Sequence, residues 1–192
     1  DTKIILFTMG LFSNVSDNKL KNFIQKLLIE KICFKTLDAL LFLGEGEYEY
    51  ALKAYKNYSG KFHFVPFGID TEFWKNESEY KHTDKDYILF IGNDLNRDYD
   101  FLNKLVRNME DYNFVFLTSR LSEKDLNLKN VEIYDGMWWN NKLSDVAIKN
   151  LYKKAYLTII PLSNTLQPSG QSVALQSMSL GTPVLITKTK GF

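Results

Sequence analysis

What most constrains this chain is the order in which its apolar residues recur. Short, largely apolar runs alternate with stretches where apolar residues return every three or four positions. The runs are residues 4–8, 39–43, 62–65, 87–91, 114–118, 131–134, 157–161 and 184–187. After the first run, Leu20, Phe23, Ile24, Leu27, Leu28 and Ile32 fall on one face of a helix, with Ser16 placed to cap it. A polar helix is expected over residues 45–58. Further on, Phe101, Leu102, Leu105, Val106 and Met109 mark one helix, and Leu143, Ala147, Ile148, Leu151 and Tyr152 mark another. A short helix is expected over residues 171–180. Strands apolar on both faces, separated by amphipathic helices, form a parallel sheet with helices on both sides.

The series pauses once, at the stretch VPFGIDTEFW (residues 65–74), followed by a polar run to residue 86 whose only large apolar group is Tyr80. The fold expected is therefore α/β with two Rossmann-like domains, residues 1–67 and 68–192. Composition agrees with such a protein: 45% of residues are hydrophobic and 24% charged. The net charge of +1 gives no general attraction to nucleic acid, so none is expected as a partner. The single cysteine, Cys33, leaves no internal disulfide and suits a reducing compartment. No secretory signal is visible, and no apolar stretch approaches the roughly 20 residues that span a bilayer. The chain reads as an excerpt of a soluble protein, cut at both ends.

In open parallel sheets ligands bind beyond the carboxyl ends of the strands. The run 87–91 ends in Gly92-Asn93-Asp94-Leu95-Asn96-Arg97-Asp98, and the run 114–118 is followed by Ser119-Arg120. Only three arginines stand against twenty-one lysines, and two of the three fall at these ends. A guanidinium offers phosphate paired donors in a planar fork. The alternative for Arg97 is a surface salt bridge with Asp94 or Asp98, and a surface role is open for Arg120 also. After the run 157–161 comes QPSGQSVALQSMSLGTPV, residues 167–184. Gly170 allows close backbone approach, and the free N–H groups and dipole of the following helix favour an anion. Simple capping by Ser169 to Ser172 is the competing explanation. Trp138 and Trp139 are expected to pack, with base stacking as the alternative. His63 and His82 have no partners at metal-ligand spacing, so no protein-bound metal or cofactor is expected.

Residues 167–184 resemble the donor-site signature of GT-B glycosyltransferases, especially the retaining family four, and residues 65–74 resemble the stretch joining their two domains. The resemblance covers nearly the whole chain. It implies a GT-B-like fold in which residues 1–67 are the last part of the acceptor-side domain and residues 68–192 are a donor domain truncated at its C-terminus. It implies that Gly92 lies in the turn beside a sugar diphosphate, Arg97 contacts phosphate, and Gly136 and Met137 lie near the base. Gly170, Gln171 and Ser172 would surround the phosphates and donor sugar, and Gln176 would face the ribose. Arg97 and Gln171 are the catalytic candidates.

Two departures stand out. Gln176 occupies the place of the family's second glutamate, and no acid stands at the first, Gln167 being one place too far upstream. An amide still bonds a ribose diol but without charge assistance. A lysine expected soon after the arginine is also missing, Lys104 falling inside a helix. The reaction implied is sugar transfer from a nucleotide-sugar donor, its substrate, to a carbohydrate or lipid-linked acceptor or a protein, with retention. The leaving diphosphate is then stabilised by preorganised donors, with Lys188 and Lys190 as further candidates or as solvated loop residues. A sugar-nucleotide epimerase of the same fold and a non-catalytic binding module are the alternatives. The setting implied is cytoplasmic, with any peripheral contact at the inner membrane surface expected from the missing N-terminal part.

Overall fold

The structure is a computed structural model and describes residues 2–12, 18–76, 86–122, 126, 128–137 and 143–192. It divides into two units, Asp1–Phe67 with Asn164–Ser169 and Thr189–Phe192, and Gly68–Ser163 with Gly170–Lys188. The two short later segments join the first unit through backbone fit. Pro168 packs against Gly44, where a Cβ would stand 2.9 Å from the proline ring, and the Lys190 carbonyl lies against Gly46. Both segments fall within residues 68–192 of the sequence, because the order of elements along the chain does not show which unit a short segment packs against.

In the first unit β1 (Ile5–Thr8), β2 (Ala39–Phe42) and β3 (Phe62–Phe64) form a parallel sheet in the order β1-β2-β3. Its core gathers Phe12, Ile29, Phe34, Leu40, Phe42, Tyr55 and Phe62. Helix α1 (Lys19–Leu28) is capped by Asn18, whose side chain accepts from Leu20 N and Lys21 N; the expected cap, Ser16, lies outside the described residues.

The apolar stripe of α1 is not buried, contrary to expectation. No residue of α1 is buried, and Leu20, Phe23, Ile24, Leu27 and Leu28 are all exposed, as is Ile32 beyond it. The core is instead reached from a π-helical continuation, Ile29–Phe34, whose two ends lie five residues apart and turn inward together. β1 departs in the same way, with Ile5 58% and Phe7 60% exposed on one face and Leu6 exposed on the other. The expected two-sided cover is thus absent there among the described residues.

The helix expected over 45–58 stops early. α2 (Glu45–Ala54) is followed by a 3-10 turn, Lys56–Lys61, because Tyr55 leaves helical geometry to stack on Phe12 at 5.3 Å in the core. One acid of this polar helix is fully buried. Glu47 accepts from Gly10 N and Phe12 N, both at 2.9 Å, and so fixes the loop after β1.

The second unit holds a five-stranded parallel sheet, β6-β5-β4-β7-β8. Its strands are β4 (Tyr87–Ile91), β5 (Phe114–Leu117), β6 (Val131–Tyr134), β7 (Ala155–Ile160) and β8 (Val184–Ile186). Alternate residues of β4 serve two cores, as strand geometry requires. Ile88 and Phe90 pack with Leu102 and Val106 of α3 (Tyr99–Asn108). Leu89 and Ile91 pack with Ile148 and Tyr152 of α4 (Asp145–Lys154) and with Val173 and Ala174 of α5 (Gln171–Ser179). Here the sheet is covered on both faces. The chain runs outward through β5 and β6 and then returns to the other side of β4 to form β7. The strand order therefore reverses between β4 and β7, the place where a doubly wound sheet opens a crevice for ligands.

Candidate functional site

At that reversal the loop after β4 is tied to the chain after β7. Arg97 forms a backbone bridge with Leu162, Asp98 N donates to Pro161 O at 3.1 Å, and Ser163 N donates to Asn96 O at 2.8 Å. Asp98 also caps α3, accepting from Phe101 N at 2.8 Å, so it is not the partner of Arg97. The Arg97 side chain turns inward from this loop. It crosses Gly92, where a Cβ would overlap Nε, and reaches Gly170, where a Cβ would stand 2.8 Å from Nη1. Both glycines are thus required for the arginine to lie where it does. Gly170 further adopts φ +85°, a conformation that side chains other than glycine rarely take.

Arg97 is 5% exposed, not a surface residue, although the ion pair weighed for it exists: Nη2 lies 3.5 Å from Asp94 Oδ2. Burial pushes the guanidinium below its ordinary pKa, and Asp94, then Tyr99 and Tyr152, favour the charged form. Among the described residues Nε and Nη1 have no hydrogen-bond partner. Leaving charged donors unsatisfied in the interior is costly, so two such N–H groups call for an acceptor. Gly170 is the N-cap of α5 and, as a glycine, contributes no side chain to cap it. A buried cation and a helix N-terminus converge there.

Beside this cradle lies a pocket lined by Trp74, Asn93, Gly136, Asp145, Ser172 and Gln176, with apolar walls from Ile91, Leu117, Ile148 and Val173 and the Tyr152 ring. It brings together three expected site residues, Gly136, Ser172 and Gln176. Gly136 is pressed against the end of β5, where a Cβ would stand 3.0 Å from Thr118 N. Gln171 opens α5 and Met137 follows Gly136, its N–H donating to Asp135 Oδ1 at 3.2 Å; neither lines the pocket. Trp138, Trp139 and His82 lie outside the described residues. His63 is exposed on β3, and Lys104, Lys188 and Lys190 are exposed.

Sequence reasoning passed over Asn93. Its Oδ1 accepts from Thr118 Oγ1 at 3.1 Å and Ser119 N at 2.6 Å, and its Nδ2 donates to Gly136 O, so one amide joins the ends of β4, β5 and β6. Its place directly after the strand-end glycine was the signal that could have found it. Arg120 Nε donates to Asn93 O at 2.9 Å, which commits that donor to the loop backbone. Tyr152 was also missed as a polar group: it belongs to the apolar stripe of α4, and its hydroxyl donates to Gln176 Oε1 at 3.0 Å.

No protein-family model matches the sequence, and no curated protein sequence matches it. Solved structures do. The glycosyltransferase from Rickettsia africae ESF-5 is similar over 98% of this chain and 52% of its own, with a TM-score of 0.65 and 14% identity. The catalytic domain of starch synthase IV from Arabidopsis thaliana, bound to ADP and acarbose, is similar over 82% of this chain and 41% of its own, with a TM-score of 0.60 and 13% identity. This chain therefore spans about half the length of the structures it matches. At these identities the likeness is one of fold, and the fold is α/β and GT-B-like, present in part.

Proposed function

We propose that the second unit binds the diphosphate of a nucleotide sugar, and that the chain is part of a retaining glycosyltransferase resembling family four. One observation carries this reading: the buried Arg97 guanidinium, with two N–H groups unsatisfied among the described residues, beside the N-terminus of α5, whose N-cap is Gly170. A diphosphate supplies the acceptors and the negative charge that both features favour. The adjoining pocket, with Gly136 and Gln176 on its walls, takes the nucleoside. The ADP in the starch synthase structure is a ligand of the same class.

In the transfer, the bond between the sugar's anomeric carbon and the diphosphate oxygen breaks. An acceptor hydroxyl oxygen bonds to that carbon, its proton passes to the departing diphosphate oxygen, and nucleoside diphosphate leaves. Arg97 and the start of α5, with Gln171 and Ser172, hold the charge that builds on the leaving oxygen; fixed donors of this kind need no reorganisation as the charge develops. The acceptor is a glycan, a lipid-linked sugar or a protein.

The test is nucleoside diphosphate release by the full chain from a panel of nucleotide sugars, with and without a panel of saccharide acceptors. Acceptor-dependent release is the expected result. Conversion of the free nucleotide sugar without acceptor would assign an epimerase instead, and binding without turnover would assign a binding module. Absence of any nucleotide-sugar binding would overturn the reading.

A further inference from the structure

Gln176 lies on the wall of the pocket beside Arg97, and its amide is held in one orientation. The partner, Tyr152, is fully buried and fastened on several sides. Thr182 Oγ1 donates to the Tyr152 carbonyl at 2.7 Å, and the Trp74 ring stands edge-on to the phenol ring with centroids 5.9 Å apart. In the observed contact the phenol O–H donates to the carbonyl oxygen of the amide, and burial, which pushes the phenol above its ordinary pKa, keeps that proton in place. The end left for a ligand is then the Nε2 group, which can only donate.

We propose that Tyr152 is a positioning residue that turns the Gln176 amide, so that the nucleoside of the bound ligand meets a hydrogen-bond donor at this wall, and recognition there runs through an oxygen acceptor of the sugar ring's hydroxyls. The proposal rests on the nucleotide-sugar reading above. A glutamate at 176 accepts the same phenol bond through one oxygen and offers the other as an acceptor, so glutamine reverses the polarity of this wall. The pocket keeps an acid from elsewhere: Asp145, in the first turn of α4, lines it too.

Calorimetric titration of the full chain with ADP, UDP, GDP and inorganic pyrophosphate tests this. Tyr152→Phe removes one oxygen and keeps the ring's packing. It is expected to weaken the preferred nucleoside diphosphate roughly threefold to tenfold, the worth of one neutral hydrogen bond. Pyrophosphate, held at Arg97, is expected to be weakened less than the nucleoside diphosphate. In a Gln176→Leu background, Tyr152→Phe should cause no further loss, because the phenol acts only through the amide. Unchanged nucleoside diphosphate binding in Tyr152→Phe, equal weakening of pyrophosphate, or additive losses in the double variant would each overturn the positioning role while leaving the nucleotide reading intact. Failure of the unmodified chain to bind any of the nucleoside diphosphates would remove that reading and the inference with it.

Discussion

A buried arginine with unsatisfied donors is stable only if its surroundings leave no better place for it, and here two glycines define that place. Gly92 gives Nε its room and Gly170 gives Nη1 its room. Substituting Gly92 by alanine is expected to displace the guanidinium without touching any other site residue. Nucleoside diphosphate affinity should then fall by about tenfold or more, the scale of a charge-assisted hydrogen bond, with the thermal midpoint little changed. Unaltered affinity in Gly92→Ala would mean that the observed course of Arg97 is not the binding one. That Arg97, Gly92 and Gly170 come together was legible in the sequence because all three follow strands of a doubly wound sheet, whose ends meet at the strand-order reversal. The phenol of Tyr152 was not. In sequence it is one more apolar position on a helix, and its hydrogen bond joins residues 24 apart on two helices.

At the level of elements, the second unit was read closely because its central strands, β4 and β5, are buried on both faces and carry their pattern without ambiguity. Strands β4 and β6 agree with their apolar runs residue for residue, and β5, β7 and β8 shift by one or two positions at their ends. The helix α5 is anchored by hydroxyls that no periodicity reveals. Ser177 Oγ donates to the Thr182 carbonyl at 3.0 Å and pairs with Thr158 Oγ1 at 2.8 Å, all three residues being buried. The first unit was read less well, since periodicity places apolar residues on one face but does not say whether that face has a partner. Glu47 is the other failure there: a charged residue in a polar-looking helix is presumed solvated, and this one carries the loop after β1. Glu47→Ala leaves two backbone N–H groups without their carboxylate. The expected cost is ~3 kcal/mol, visible as a lowered thermal midpoint and faster amide exchange at Gly10 and Phe12. A change below ~0.5 kcal/mol would show that the loop is held by something else.

Across the whole molecule, the two units differ in how completely each satisfies itself. The first exposes large apolar side chains along β1 and α1, Ile5, Phe7, Leu20 and Phe23 among them, far more than isolated surface residues. The second closes both faces of its sheet and contains every residue of the cradle and the adjoining pocket. Affinity for the diphosphate is therefore expected to be governed by the second unit, with Arg97 at its centre. The most direct test is calorimetric titration of the full chain with nucleoside diphosphates, comparing Arg97→Ala with Arg107→Ala. Arg107 is also a guanidinium, but its donors go to Asn103 Oδ1 at 2.8 Å and the Leu126 carbonyl at 3.0 Å. Arg97→Ala should abolish measurable binding or weaken it by roughly tenfold to a hundredfold, while Arg107→Ala leaves it unchanged. Equal affinities in the two variants would contradict the assignment of Arg97 to a diphosphate site.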